Sequence, residues 1–218
     1  MSVRHTHRSW LAAVLIGASL WGCAARVSLR VPPAAIAELP LERKLTLLDA
    51  ENDLLAAQDA RDAQEDAWYH ARDLIDDANK RRSEADEQRA RAKKSGAPLE
   101  TFEAQIKEAV ARIHYAESEE DLQLAMLKAS DGQLLLAQAK YELVRANEVE
   151  AAALPGAAGV KVPDYQKQVD RLAKVAADRQ AEVAKQKEKT QAVKDKWTQA
   201  RAELMQASGG GVGSAWVP

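Results

Sequence analysis

The 218-residue chain holds one cysteine, one phenylalanine, seven prolines and ten glycines, and aromatic residues make up only 5% of it. A single cysteine excludes an internal disulfide framework. So few aromatics leave little with which to build the core of a doubly wound α/β enzyme. So few turn formers cannot punctuate the many short strands of a β-sandwich. The chain also lacks a His-Glu-x-x-His pair, a glycine-rich phosphate loop, a nucleophile elbow and EF-hand spacing. What it has is alanine, 44 residues, together with 29% charged residues. That is the composition of long helices and coiled coils, and it predicts an all-α, extended protein that is not an enzyme and takes no cofactor.

The N-terminus reads as an address. Arg4 and Arg8 make a basic start, an uncharged run from Trp10 to Leu20 follows, and Trp21-Gly22-Cys23 closes it. This order is that of a secretory signal over residues 1–22. The apolar run is about a dozen residues, against the ~20 needed to cross a bilayer as a helix. Leu20-Trp21-Gly22-Cys23 resembles the lipobox of bacterial lipoproteins, with leucine three residues before the cysteine and a small residue directly before it. Trp21 is the departure from that pattern, which prefers a small residue there. The resemblance covers about a tenth of the chain. It implies cleavage before Cys23, diacylation of its thiol (with palmitate among the acyl chains) and acylation of the new amino group. Two or three acyl chains anchor a protein stably where one does not. Ala24 in place of Asp implies, by analogy with enterobacterial lipoproteins, the outer membrane, with the body facing the periplasm.

Without the first 22 residues the chain has 29 basic and 33 acidic side chains, a balance that does not fit strong nucleic-acid binding. Residues 23–39 carry Pro32-Pro33 before Pro40 and read as lipid anchor and semi-rigid tether, with a short extended stretch at 26–31. Three periodic segments follow, predicting helices over about 40–95, 98–154 and 164–207. The first opens with Leu41, Leu45, Leu48, Asn52 and Leu55, then continues in alanine through Ala60, Ala63, Ala67, Ala71, Leu74, Ala78 and Ala85. Ser95-Gly96-Ala97-Pro98 pairs a helix-stopping glycine with a helix-starting proline. In the second segment Asp131-Gly132 reads as a weak spot tolerated inside a continuous helix rather than a turn. After the break from Pro155 to Pro163, the third steps by four and three through Tyr165, Val169, Leu172, Ala176, Arg179, Val183, Gln186, Thr190, Val193, Trp197, Ala200 and Leu204, a heptad seam with polar members. Residues 208–218 are a glycine-rich, flexible tail. Segments this long predict an antiparallel coiled-coil hairpin with the third helix packed back, an up-down-up rod. Ten acids in residues 49–77 and ten bases in residues 164–203 suggest charge-guided pairing of the first and third helices.

Few residues point to chemistry. His5 and His7 fall within the signal, leaving His70 and His114. Asp73, Asp76 and Asp77, near Glu65 and Asp66, read as a solvated acidic face rather than a metal site, as does Glu119-Glu120-Asp121. The basic group Lys80, Arg81, Arg82, Arg89, Arg91, Lys93 and Lys94, against three acids, precedes the first turn and is the candidate partner-binding tip for an envelope protein or an anionic envelope polymer. The expected partners are the membrane through Cys23, such an envelope component, and a second copy through the helical seams. The expected role is structural or adaptor-like. The alternative is an accessory subunit docking on an export or efflux channel. It rests on residues 134–143 (Leu-Leu-Leu-Ala-Gln-Ala-Lys-Tyr-Glu-Leu), which loosely resemble the hairpins of TolC-type outer-membrane proteins.

Overall fold

The structure is a computed structural model that describes residues 25–154 and 159–209. The signal segment, Cys23, part of the second loop and most of the tail lie outside the described residues. Among the described residues all regular structure is helical: α1 (Pro33–Ala37), α2 (Leu41–Ser95), α3 (Glu100–Ala151) and α4 (Val162–Ala207). The long helices have 55, 52 and 46 residues. At 1.5 Å per residue they run about 82, 78 and 69 Å.

The three run antiparallel in sequence order. Arg43 at the start of α2 meets Glu148 at the end of α3, and Arg89 near the end of α2 meets Glu103 at the start of α3. Thr101 in the first turn of α3 donates to Ala207 O at the end of α4. The α2–α3 turn is set by Gly96, whose φ of 71° costs a residue without Cβ nothing, and Ala97 N–H closes back on Ala92 O at 3.0 Å.

Helix α3 lies in the middle, packed on α2 along one side and on α4 along the other. Towards α2 the contact is made by small residues at a strict interval of seven: Ala71, Ala78, Ala85 and Ala92 are all buried. Alanine at every heptad lets the two axes approach closely while the sequence stays rich in charge elsewhere. The stripe continues towards the helix start through Ile75, Trp68, Gln64, Arg61, Ala57, Leu54, Ala50 and Leu47, each buried or half-buried. Arg61 reaches across to Asp131 on α3 at 3.3 Å and also pairs with Asp62 and Glu65 on its own helix. Hydrogen bonding first to Asp62, then to Asp131, holds its guanidinium in the charged form even more firmly than usual.

This stripe differs from the leucine series with which the helix opens. Leu41, Leu45, Leu48 and Leu55 are 69, 55, 49 and 52% exposed and lie opposite the α3-facing positions. The reason is reach. The α3-facing stripe, of mixed residues at first and alanine from Ala71 on, runs the whole length of α2, whereas the leucine stripe passes into Asp59, Asp62 and Asp66 after two heptads.

Along α4 the seam expected from the sequence is the packed face. Tyr165, Val169, Leu172, Ala176, Val183, Thr190, Ala200 and Leu204 are buried, and its remaining members are half-buried. Thr190 answers its own polarity by donating to Ser118 O at 2.9 Å, with the Ser118 hydroxyl at the same distance. Helix α3 continues unbroken through Gly132. A Cβ there would stand 3.0 Å from Arg179 Cδ and 3.3 Å from Ala176 Cα, so glycine fits a close approach of α4 here rather than a turn. Because α3 separates α2 from α4, the acidic and basic surfaces of those two helices do not serve as a paired interface.

The segment before α2 is part of the fold. Residues 25–32 have no regular secondary structure, and α1 adds one short turn. Gln168 on α4 accepts from Ser28 N–H at 2.8 Å and Leu29 N–H at 2.9 Å, and donates back to Leu29 O at 3.2 Å. Glu142 on α3 accepts from Val31 N–H at 2.8 Å. These two buried polar side chains supply the partners that a backbone segment outside any helix or sheet lacks, which is why burying them is tolerated. Val31, Ala35 and Leu39 then close the end of the bundle over Leu47, Ala146, Val149 and Tyr165.

Candidate interaction surfaces

The seven bases singled out from the sequence sit on the last four turns of α2, at the end of the bundle shared by the α3 N-terminus and the α4 C-terminus. They do not form one patch. Lys80, Arg81 and Arg82 are consecutive and point in three directions on a helix of 3.6 residues per turn. Arg82 pairs with Asp86 at 3.8 Å, Arg89 with Glu103 at 3.5 Å and Arg91 with Glu87 at 3.1 Å, while Arg81 is half-buried. Lys80, Lys93 and Lys94 are exposed. The last two occupy the final turn, where a cation also complements the helix dipole. The usable positive surface is therefore the lysines, with the arginines largely engaged by local carboxylates.

Beneath this end lies a polar core that sequence reasoning missed. Glu108 on α3, 2% exposed, accepts from Trp197 Nε1–H of α4 at 2.7 Å and from Arg112 at 3.1 Å. The Trp197 ring stacks on Tyr115 with centroids 5.0 Å apart and an interplanar angle of 6°, and the Arg112 guanidinium lies 5.1 Å from its centroid. The signal was Trp197 itself: a buried indole usually takes an acceptor for its N–H, and a facing helix is one place that can provide it. Burial, with Glu119 nearby, pushes the Tyr115 hydroxyl pKa upward. At the rim of this core Lys107 pairs with Glu203 and holds that carboxyl below its ordinary range.

The acidic series of α2 does not converge on a point. Asp73 and Asp76 line an open groove with Tyr69, Ile75, Arg72 and Glu120, and Arg72 faces Glu120 at 3.8 Å. Among the described residues no group of His, Cys, Asp and Glu is placed to hold a metal ion, and no helix is long and apolar enough to cross a membrane. The grooves between helices are shallow and open, lined in the middle of the bundle by Ala57, Gln64, Met126, Gln133, Gln180 and Lys187.

Residues 134–143, which carry the likeness to channel hairpins, face inward in part: Ala139 and Glu142 are buried, and Leu135, Leu136 and Leu143 pack on Val169 and Leu172. Among the described residues, the exposed large hydrophobics include Leu41, Leu45, Leu48 and Leu55, which share one face at the start of α2. Comparison with protein families, with curated proteins and with solved structures finds no match for this chain.

Proposed function

We propose that the protein is a lipid-anchored, periplasm-facing coiled-coil protein of the bacterial cell envelope, held by acylated Cys23 and acting as a structural or adaptor element. The observation that carries this reading is the order basic start, apolar run, Leu20-Trp21-Gly22-Cys23, with that cysteine alone in the chain. The helical body supports it by offering long faces with open grooves between them. Ala25 packs on the cluster of Ala139, Val169 and Leu172, about ten residues into α4 and so roughly 15 Å from that helix's start. Cys23 is two residues earlier, a reach of at most about 7 Å. Anchoring would therefore hold the bundle beside the membrane by the flank of its α3–α4 loop end and leave the lysine-bearing α2–α3 turn at the far end. There, exposed Lys80, Lys93 and Lys94 would meet an envelope protein or an anionic polymer. Docking on an export channel is the alternative, and it would have to use outward faces rather than residues 134–143.

Fractionation of cells grown with a clickable palmitate analogue tests the anchor. The wild-type chain is expected in the membrane fraction and labelled, and Cys23→Ser soluble or unprocessed and unlabelled. Equal labelling and equal membrane association of both would refute it. The tip is tested by replacing Lys80, Lys93 and Lys94 with Gln, which should weaken binding to envelope fractions and reduce its salt dependence.

A further inference from the structure

We propose that the outward leucine stripe at the start of α2 is a self-association surface that pairs with the same stripe of a second copy, parallel and in register. The stripe is a two-heptad coiled-coil seam: Leu41, Leu48 and Leu55 fall at one core position, Leu45 and Asn52 at the other. Its leucines are 49–69% exposed. A parallel pairing uses every member, because Leu meets Leu and Asn52 meets Asn52, whose amides can bond each other. An antiparallel pairing sets Asn52 against Leu41 and leaves an amide buried without a partner. Flanking charge agrees. Lys44, which also donates to Ala37 O, precedes by five residues Asp49, the position its counterpart faces across a parallel seam.

Other occupants fit less well. Glu42, Asp49, Glu51 and Asp53 rim the stripe, so an anionic bilayer surface would repel it. The chain after Gly209 starts at the opposite end of the bundle. Leu55 lies roughly 55 Å along α2 from Ala92, which is near that opposite end.

The contact is small. A strip about 21 Å long covers on the order of 400 Å² per copy, half of what a standard stable interface takes, and Asp59 and Asp62 repel their counterparts beyond it. Pairing is thus weak in dilute solution and strengthened where copies share a surface. The pairing itself does not need the lipid; only its extent in the envelope rests on the anchored reading.

Disulfide trapping tests it, with Leu41→Cys, Leu48→Cys and Leu55→Cys each placed singly in the full chain, and Met205→Cys and the unaltered chain as controls. In the Cys23→Ser background at high protein concentration, each stripe variant should form covalent dimers at least tenfold above Met205→Cys. In the Cys23 background in membranes, the yield should rise further. Adding Leu45→Glu should abolish trapping without loss of helix, since Leu45 is exposed. Trapping no better than at Met205 in both backgrounds overturns the proposal. So does trapping at Leu48 without Leu41 and Leu55, which marks an antiparallel pair, and so do adducts with a different protein. A yield that fails to rise in membranes, with dimers formed in solution, removes the anchor and leaves the pairing standing.

Discussion

Arg179 of α4 crosses directly over Gly132 of α3, its Cδ 3.0 Å from where a Cβ would stand, and donates to Lys128 O at 2.8 Å on the turn before. The missing side chain opens the path for the guanidinium stem, and the exposed end of that stem satisfies a carbonyl of the facing helix.

Gly132→Ala sets two effects against each other. Alanine gains about 1 kcal/mol of helix propensity, but the new methyl meets Ala176 Cα at 3.3 Å, and backbone cannot move aside as a side chain can. Overpacking of this kind costs about 1–3 kcal/mol, so the net expectation is a destabilisation of about 1 kcal/mol. Arg179→Ala combined with Gly132→Ala should recover part of it. Thermal melts followed by circular dichroism decide this; a higher Tm for Gly132→Ala alone would mean that the helices separate freely at this point.

Glu108→Ala should be among the most damaging single changes. It removes the carboxylate shared by Arg112 and the Trp197 N–H, and stripping one partner from a buried charge pair costs about 3–5 kcal/mol. Glu108→Gln keeps an acceptor and should cost less. Urea unfolding curves would rank the two; equal midpoints for Ala and wild type would contradict the network.

Gln168→Ala should free the segment before α1 without melting the bundle. One amide holds Ser28 and Leu29 through three hydrogen bonds to backbone, while the long helices pack independently of it. Trypsin is then expected to cut after Arg26 and Arg30 much faster than in the wild type, with helix content nearly unchanged. Unaltered cleavage rates would show that the apolar contacts of Val31 and Ala35 hold the segment alone.

Burial, reinforced by Glu142 and opposed by Arg145, raises the Tyr165 hydroxyl above its usual pKa of 10. The unfolded chain therefore ionises first as pH rises. Stability is intact below about pH 10 and falls between there and the folded-state pKa. Tyr165→Phe should flatten this alkaline decline in melts taken from pH 8 to 11; an unchanged slope would assign the loss to other groups, with Tyr115, shifted in the same direction, the first to replace.

The sequence by itself determined the helices, their breaks and one interface. Gly96 stops α2 because only that residue takes φ of 71° without strain, and the heptad of α4 from Tyr165 to Leu204 was readable because a single apolar face leaves no choice of side. On α2 two stripes, nearly opposite one another, compete. Periodicity joined the leucines and the later alanines into one seam, whereas the tertiary structure turns the leucines outward and packs Ala71, Ala78, Ala85 and Ala92 on α3, since the α3-facing stripe is sustained to Ala92 and a two-heptad leucine run is not. Only the folded chain could also bring Glu142 and Gln168 to the backbone of residues 28–31, more than a hundred residues away in sequence, and Glu108 to Trp197. Such pairings depend on which helix lies in the middle. That is decided by the sum of contacts along both faces of α3, a quantity no local window of sequence contains.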